Sequence, residues 1–313
     1  MGMDMDFLNN FWPLAPRHWV LLAFIAAALH SHFRGKVRFE LRRALTDFTV
    51  LLAPFNSLMI LFSKVGTKPF LDPNAFPDLK ILQDNWQAIR EEALRLDDKG
   101  SIQAASDYND IGFNSFFRTG WKRFYLKWYG DDLPSAQQTC PKTVALLRQL
   151  PQVKAAMFAS LPPGARLVRH RDPYAGSLRY HMGLITPNDP ACFIDVDGER
   201  YHWRDGEVVM FDETYIHFAE NSTDKPRIIL FADIERPVYT PVVRWLNKVF
   251  AAIVMSASAT QNVEGEPVGA LNKFFYHAYQ VRLKGKALKE KNRTAYYVLK
   301  WALIGLLLWA LFF

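Results

Sequence analysis

Hydrophobic and polar residues alternate most rapidly between residues 155 and 234. Short apolar runs are separated there by turn residues, such as Pro162-Pro163-Gly164 and Asp197-Gly198. Many short strands joined by such turns favour a sandwich or barrel, and we expect a mainly β core of the double-stranded β-helix (jelly-roll) type. Upstream, apolar residues recur at helical spacing over residues 79–96. This pattern predicts an amphipathic helix that packs on the outside of the core.

Both ends of the chain carry longer apolar stretches. Residues 19–29 are consecutively apolar, and residues 295–313 form an apolar run whose only charge is Lys300. About 20 apolar residues are needed to span a bilayer. We therefore predict a C-terminal transmembrane helix and an N-terminal helix that spans the membrane or inserts deeply. A cleaved signal peptide is the alternative for the N-terminal run.

Basic residues flank both of these runs. One cluster, between residues 282 and 293, precedes the C-terminal run, and another follows the N-terminal run, consisting of Arg34, Lys36, Arg38, Arg42 and Arg43. Because positive residues stay on the cytoplasmic side of membrane segments, this distribution predicts that the region between the two runs lies in the cytoplasm. It also argues against a translocated domain behind a signal peptide.

Two shorter apolar segments lie beside the predicted core. Residues 48–62 are interrupted by Pro54 and by polar residues, which leaves two interpretations open, an interfacial or hairpin-like element and an ordinary buried helix. Residues 242–255 alternate apolar residues with Arg244 and Lys248, a pattern typical of a helix that lies in the membrane surface.

These patterns divide the chain into three predicted parts. Residues 1–68 form an N-terminal membrane anchor and interfacial segment, and residues 69–240 form the jelly-roll domain with its flanking helices. Residues 241–313 form an interfacial helix, a basic linker and the C-terminal transmembrane anchor.

Composition narrows the choice of partners. The 313 residues carry a net charge of +7 with a pI near 9.3, which favours anionic partners such as lipid head groups. No nucleic-acid-binding motif is visible, so we expect no nucleic acid, and nothing indicates an obligate protein partner. Cys140 and Cys192 are isolated and predict no disulfide framework. Aromatic residues concentrated between 113 and 129 predict strands and core packing, and we assign them no functional role.

Candidate chemistry is concentrated in His170, Asp172 and His217. Side chains two positions apart on a strand share a face, so His170 and Asp172 can hold neighbouring corners of one metal ion. His217 must reach a third corner through strand pairing. Two histidines and one carboxylate leave coordination positions open, which suits Fe(II) better than a closed zinc site. A single histidine on a strand usually has a structural role. Only the complete set of two histidines and one carboxylate points specifically to a metal site.

A second group of residues predicts an anion site. Arg227 begins an apolar strand, where a guanidinium facing the core would be costly unless it met a carboxylate. Arg179 and His181 share one face of another predicted strand, and Ser160 could add a hydrogen bond. The acidic residues that flank His217 either support the metal ligands or are loop carboxylates, and we favour the second interpretation; they are Asp212, Glu213 and Glu220.

At these residues the chain resembles the aspartyl/asparaginyl β-hydroxylase family of 2-oxoglutarate oxygenases, over about residues 121–237. The resemblance rests on five segments, which are residues 161–164, His170-Arg171-Asp172-Pro173, residues 178–184, residues 211–217 and residues 227–231. It implies an Fe(II)-dependent dioxygenase that uses 2-oxoglutarate and O2, with ascorbate as a reductant. It implies His170 and His217 as iron ligands, and Arg227, Arg179 and His181 as residues that hold 2-oxoglutarate, with Ser160 assisting.

One departure from the family pattern concerns Asp172. Animal peptidyl hydroxylases of the family carry glycine at this position, so the complete triad indicates another branch. The chain is most similar to bacterial lipid A 2-hydroxylases, which implies hydroxylation of C2 of a lipid A secondary acyl chain at the cytoplasmic face of the bacterial inner membrane. Ornithine-lipid hydroxylation and peptidyl aspartyl/asparaginyl hydroxylation are the alternatives, and a jelly-roll metal or lipid sensor is the non-enzymatic one.

Overall fold

Two antiparallel sheets form the centre of the protein. The computed structural model describes residues 16–40, 43–44, 47–104, 110, 112–130 and 132–312. Its strands are β1 (Phe70–Leu71), β2 (Lys122–Trp128), β3 (Val153–Leu161), β4 (Arg166–His170), β5 (Ser177–Ile185), β6 (Cys192–Val196), β7 (Glu199–His202), β8 (Val208–Phe211), β9 (His217–Asn221) and β10 (Arg227–Glu235).

The strand order is that of a jelly roll. A six-stranded sheet runs β1-β8-β5-β10-β3-β2, and a four-stranded sheet runs β4-β9-β6-β7. From β3 to β10 the chain alternates between the two sheets, except that β6 and β7 pair within the four-stranded sheet, so residues distant in sequence meet across the sheets. The predicted mainly β core with flanking helices is confirmed.

Helices cover the larger sheet and extend to both ends of the described chain. Nearly every residue of β3, β5 and β10 is buried, because side chains on one face meet the core and those on the other meet helices. The helices are α1 (Pro16–Phe33), α2 (Ala53–Leu61), α3 (Lys80–Asp84), α4 (Trp86–Asp98), α5 (Asn114–Phe117), α6 (Pro134–Thr139), α7 (Pro141–Arg148), α8 (Pro241–Phe250), α9 (Ala270–Lys291) and α10 (Arg293–Phe312).

The helix predicted over residues 79–96 is present as two helices, α3 and α4. Its apolar face behaves as expected, since Ile89, Ala93 and Leu96 are buried. Asn85 separates the two parts, and its side chain donates a hydrogen bond to the carbonyl of Ile81. An amide that bonds its own backbone in this way competes with helical hydrogen bonding and interrupts the helix.

The predicted terminal membrane helices are not found. Both ends are helical, as α1 and α10, but among the described residues no helix is both long and apolar enough to cross a membrane. In α1 the apolar run is only eleven residues long and stops at His30, Ser31 and His32. Residues 1–15 and 313, which also belong to the predicted terminal segments, lie outside the described residues.

Residues 48–62 form a 3-10 turn (Phe48–Leu52) followed by α2, which packs on the jelly roll. Asn56 donates to the carbonyl of Pro173 at 2.8 Å and accepts from the amide of Ala175 at 2.9 Å. Met59 and Ile60 are buried beside it. Of the two interpretations open for this segment, these contacts favour the buried helix.

Candidate active site

The pairing of β4 with β9 brings two histidines together. His170 is the register partner of His217, and their ring centroids are 4.2 Å apart. Asp172 follows β4, and its Oδ1 lies 3.6 Å from His170 Nε2. Ligand atoms of the three residues all lie within 4.8 Å of one another. The structure therefore assembles the three residues that the sequence predicted as metal ligands.

Hydrogen bonds fix the orientation of both imidazoles. His170 Nδ1 lies 2.7 Å from the carbonyl oxygen of Val168, and His217 Nδ1 lies 2.9 Å from that of Tyr215. Because a carbonyl only accepts, each Nδ1 carries the proton, which leaves Nε2 with its lone pair. Metal-binding histidines are commonly oriented by such bonds.

The electrostatics of the cluster suit a divalent cation. Burial and the neighbouring His170 lower the pKa of His217 to about 3, and burial also lowers the pKa of His170. Burial opposes ionisation of Asp172, but Arg179 and the two histidines outweigh it and lower the pKa of its carboxyl. The cluster therefore offers two neutral nitrogen donors and one carboxylate, the protonation states that metal binding requires.

Arg179 lies behind Asp172 and contacts three carboxylates. It donates to Asp172 at 2.6 Å, pairs with Glu213, and forms an ion pair with Asp233 at 3.2 Å. Its guanidinium also lies 3.7 Å from the centre of the Phe231 ring. This arrangement orients Asp172, whereas the sequence predicted a direct contact between Arg179 and the cosubstrate.

Arg227 and His181 are buried without hydrogen-bond partners for key atoms. Arg227 is 2% exposed, and its Nε and Nη2 have no partner among the described residues. Both ring nitrogens of His181 are likewise unpaired in the described part of the chain. Burial lowers the pKa of Arg227 to about 10. Since a buried unpaired donor costs free energy, these atoms are candidates for binding an anionic ligand.

One cavity contains both groups. Its polar lining is His170, Asp172, Arg179, His181, His217 and Arg227. Its aromatic lining is Phe113, Phe116, Trp121, Trp203, Phe211 and Phe231. A metal ion held by the first group and an anion held by the second would therefore share a largely apolar enclosure.

Ser160 does not join this cavity. It is the register partner of Ile228 in the β3–β10 pair, whereas Arg227 is next to Ile228 in β10. Paired residues of antiparallel strands share a face, and consecutive residues point to opposite faces. Ser160 therefore lies on the opposite face of the sheet from Arg227, whose own register partner is Leu161.

Several cavity residues carried no signal in the sequence. Trp203 follows β7, and its ring lies 4.3 Å from the guanidinium carbon of Arg227. The Phe116 ring lies 4.5 Å from that of His170.

Glu213, interpreted as a loop carboxylate, is buried and accepts a hydrogen bond from Ser177 at 2.7 Å. The available sign of a role for Glu213 was its place between Asp212 and His217 in the sequence. The density of aromatic residues around Phe116 indicated only core packing.

Comparisons with known proteins match the region that contains this cavity. The sequence pattern described as aspartyl/asparaginyl beta-hydroxylase matches residues 83–237. The ornithine lipid ester-linked acyl 2-hydroxylase of Rhizobium tropici is 36% identical over 207 residues, which are 64% of this chain and 72% of that protein. The human aspartyl/asparaginyl beta-hydroxylase is 29% identical over 168 residues, 52% of this chain and 22% of the human protein.

Among solved structures, a prolyl-4-hydroxylase from Pseudomonas putida is 19% identical and has a TM-score of 0.36. The superposition covers 49% of this chain and 87% of that one.

Proposed function

Because the chain belongs to the aspartyl/asparaginyl beta-hydroxylase family, we propose that this hydroxylase uses Fe(II) and 2-oxoglutarate to hydroxylate C2 of an acyl chain in a membrane lipid. The observation that carries the proposal is the single cavity in which a His-Asp-His cluster faces a buried arginine without partners for Nε and Nη2. Iron and a dicarboxylate are the two ligands that this combination fits.

The metal ligands would be His170, Asp172 and His217. Both imidazoles present Nε2, and the carboxylate is ionised, so the donor set suits Fe(II) without further rearrangement of charge. Three protein ligands leave positions open, which a cosubstrate and dioxygen need. Arg179 would keep Asp172 in place through its hydrogen bond.

The 2-oxoglutarate ligand would lie against Arg227. A guanidinium fork matches a carboxylate bidentately, and the unpaired Nε and Nη2 form one such edge. His181 supplies two further buried nitrogens nearby, and Trp203 covers the guanidinium. The assignment of Arg179 to the same ligand stays a prediction, since Arg179 lines the cavity but pairs with carboxylates, whereas Ser160 lies on the opposite face of the sheet.

When bound, Fe(II) and 2-oxoglutarate supply the oxidising power that inserts one oxygen atom of O2 into a C–H bond, with ascorbate as a reductant. The role of the protein is to orient these ligands and to exclude water from the cavity. Phe116 lies against His170 and Phe231 lies against Arg179, so aromatic rings cover both sides of the cluster. A largely apolar enclosure also suits a hydrocarbon substrate.

A membrane lipid is the substrate class that the surface supports. On α8, Val242 and Trp245 are 67% and 61% exposed, next to the basic residues Arg244 and Lys248. Exposed apolar residues flanked by cations are typical of a helix that rests on anionic lipid. We propose on this basis that the enzyme works at a membrane surface, and the basic residues beside both terminal apolar runs favour the cytoplasmic face of the bacterial inner membrane.

Lipid A is the substrate that we propose, through its secondary acyl chain. Ornithine lipid is the second candidate, because the Rhizobium tropici relative named for that lipid aligns with 64% of this chain at 36% identity. Peptidyl hydroxylation is the third, and the human relative matches at lower identity and over a smaller share of both chains.

Lipid mass spectrometry of a gene-deletion strain tests the proposal. The wild-type gene should restore one oxygen atom to a lipid A acyl chain, and His170→Ala and His217→Ala should not. His202→Ala, on β7 outside the cavity, is the matched control and should restore it. Gain of oxygen on ornithine lipid would establish the second candidate, and an unchanged lipid profile would refute lipid hydroxylation.

A further inference from the structure

A second, cationic pocket lies beside the metal cluster. Its lining includes Arg34, Arg38, Phe39, Arg171, Thr214 and Tyr215. It borders the cluster at two places in the chain, since Arg171 lies between His170 and Asp172, and Tyr215 lies two residues before His217. Among the described residues that line it there is no Asp or Glu.

Arg171 is the buried cation of this pocket. It is only 7% exposed, and no carboxylate oxygen of the described residues lies within 4.0 Å of its nitrogens. Nη1 donates to the carbonyl and hydroxyl oxygens of Ser31, both at 3.2 Å, and Nε has no partner. Removing one partner of a buried ion pair leaves a costly charge, and Arg171 is in that situation without a ligand.

The neighbouring groups offset this charge only in part. Ser31 lies in the last turn of α1, where the helix dipole contributes about half of one negative charge. The Phe39 ring lies 5.5 Å from the guanidinium carbon of Arg171 and adds a weak cation–π contact. Burial lowers the pKa of Arg171 and outweighs Asp47, which acts on this guanidinium from beyond ion-pair distance.

Contacts with the jelly roll hold the segment that forms one wall of the pocket. Arg34 pairs with Asp212, and the backbone amides of residues 36–37 donate to Asp197 at 3.0 and 2.8 Å. A Cβ atom at Gly35 would lie 2.6 Å from an Asp197 carboxylate oxygen, so glycine permits this approach. The cationic wall is therefore preformed.

The charge balance of the pocket favours phosphate. Asp212 is shared between Arg34 and Arg236. Neither Arg171 nor the exposed Arg38 forms an ion pair with a described residue, so the pocket keeps a net positive charge. Two arginines match the charge of a phosphate monoester, and guanidinium groups bind phosphate oxygens in pairs. A ligand with a single carboxylate would leave one of the two arginine charges unbalanced.

We propose that this pocket binds a phosphate group of the substrate's head group, and so selects a phosphorylated lipid. The assignment rests on the proposed lipid hydroxylation for its meaning as a substrate site. Arg171 and Tyr215 lie in the same two segments as the metal residues, so the proposal includes that the acyl chain of a lipid bound there reaches from this pocket into the catalytic cavity.

Calorimetric titration of the full-length protein tests the site without turnover. The probes are inorganic phosphate, dihexanoyl phosphatidic acid below its micelle concentration, and hexanoate. Arg171→Gln should weaken phosphatidic acid binding by at least about tenfold, as expected for a lost charge-assisted contact. Arg169→Gln removes the same charge from an exposed strand position outside the pocket and should change affinity by less than about twofold.

Two further variants separate charge from structure. Arg171→Lys loses the guanidinium geometry toward Ser31 but keeps the charge, so it should retain phosphate binding if the charge matters. Arg38→Gln changes an exposed residue whose loss does not threaten folding, and it should also weaken binding. Equal affinities of Arg171→Gln and wild type, or of Arg38→Gln and wild type, would overturn the assignment.

The remaining outcomes identify the ligand. If phosphatidic acid binds no more tightly than inorganic phosphate, the pocket is a site for free anions and the head-group assignment is overturned. Hexanoate that binds as tightly as phosphatidic acid would also overturn the assignment. With an active lipid substrate, Arg171→Gln should raise KM and leave kcat nearly unchanged. Phosphate binding without any lipid hydroxylation would refute the proposed function alone.

Discussion

Asp172 connects the metal cluster to the buried charges behind it. One of its oxygens faces the two histidines, and the other accepts from Arg179. The family resemblance implies that glycine occupies this position in animal peptidyl hydroxylases. The carboxylate therefore distinguishes this chain chemically from those relatives.

Replacing Asp172 by glycine should weaken Fe(II) binding and leave the fold intact. The variant keeps both histidines but loses the only anionic ligand, so we expect an affinity loss of at least about tenfold. Anaerobic Fe(II) titration measures the loss, and Asp224→Gly, in an exposed loop, is the control. Equal affinity for the Asp172 variant and wild type would remove Asp172 from the ligand set.

Asp212 joins two arginines from distant parts of the chain. Arg34 precedes the jelly roll and Arg236 ends it, and both pair with the fully buried Asp212 carboxylate. Burial would raise the pKa of Asp212, but Arg236 and Arg34 outweigh it and hold that pKa well below its usual range. The ionised carboxylate thus stabilises the folded state.

The stabilisation by Asp212 should depend on pH. Since the folded-state pKa is depressed, the contribution is complete above the unfolded-state pKa of about 3.9 and is lost as pH falls toward the folded-state value. Asp212→Asn should lower the free energy of unfolding by about 3–5 kcal/mol at pH 7. Urea denaturation from pH 7 to acid measures the difference, which should narrow only below about pH 4. A difference that is constant with pH would contradict the ionic explanation.

At the scale of elements, Gly183 allows the chain to cross close to the central sheet. It lies on β5, donates from its amide to the carbonyl of Glu207 at 3.0 Å, and accepts from the amide of Gly206 at 2.9 Å. A Cβ atom at Gly183 would lie 2.0 Å from the carbonyl oxygen of Arg204. This contact positions the turn between Trp203, above Arg227, and β8.

Gly183→Ala should therefore destabilise the fold. The clash involves backbone, which moves less readily than a side chain, and we expect a loss of about 1–3 kcal/mol or more in the free energy of unfolding. Gly66→Ala is the matched control, because no atom lies within 4 Å of its built Cβ. Chemical denaturation of both variants measures the difference, and similar midpoints would refute the steric explanation.

The exposed face of α8 should contribute to lipid binding. Val242→Asp places a charge on that face, and losing the burial of one valine in lipid should weaken vesicle binding by about tenfold or more. Val263→Asp changes an exposed valine in a loop and serves as the control. Flotation with anionic vesicles measures both. An equal loss for the two variants would show that α8 has no special role.

At the scale of the whole molecule, the net charge of +7 should make association with anionic lipid depend on salt. The Debye length shortens from about 10 Å at 0.1 M to about 3 Å at 1 M ionic strength, so binding should weaken across that range. Vesicles of neutral lipid provide the comparison and should show little change. Salt-independent binding to anionic vesicles would indicate that apolar contacts alone hold the protein.

The fold class and the family could be predicted because their signals are local. Turn residues at short intervals indicated the jelly roll, and five short segments indicated the hydroxylase family, which the comparisons confirm. The predicted membrane helices are not found among the described residues, and the exact lipid stays a prediction. The hydroxylase assignment leaves no support for a non-catalytic sensor.

By itself the sequence picked out the three residues that the structure brings together as a candidate metal cluster, because His170 and Asp172 need only the alternation of one strand and a later His217. Only the tertiary structure decided which role each of the other polar residues takes. Strand register turned Ser160 away from Arg227, and three carboxylates converged on Arg179 and made it a support for Asp172. The tertiary structure also brought Arg171 against Ser31 of α1, with no ion-pair partner among the described residues. These outcomes depend on distances between elements far apart in the chain, which residue spacing does not encode.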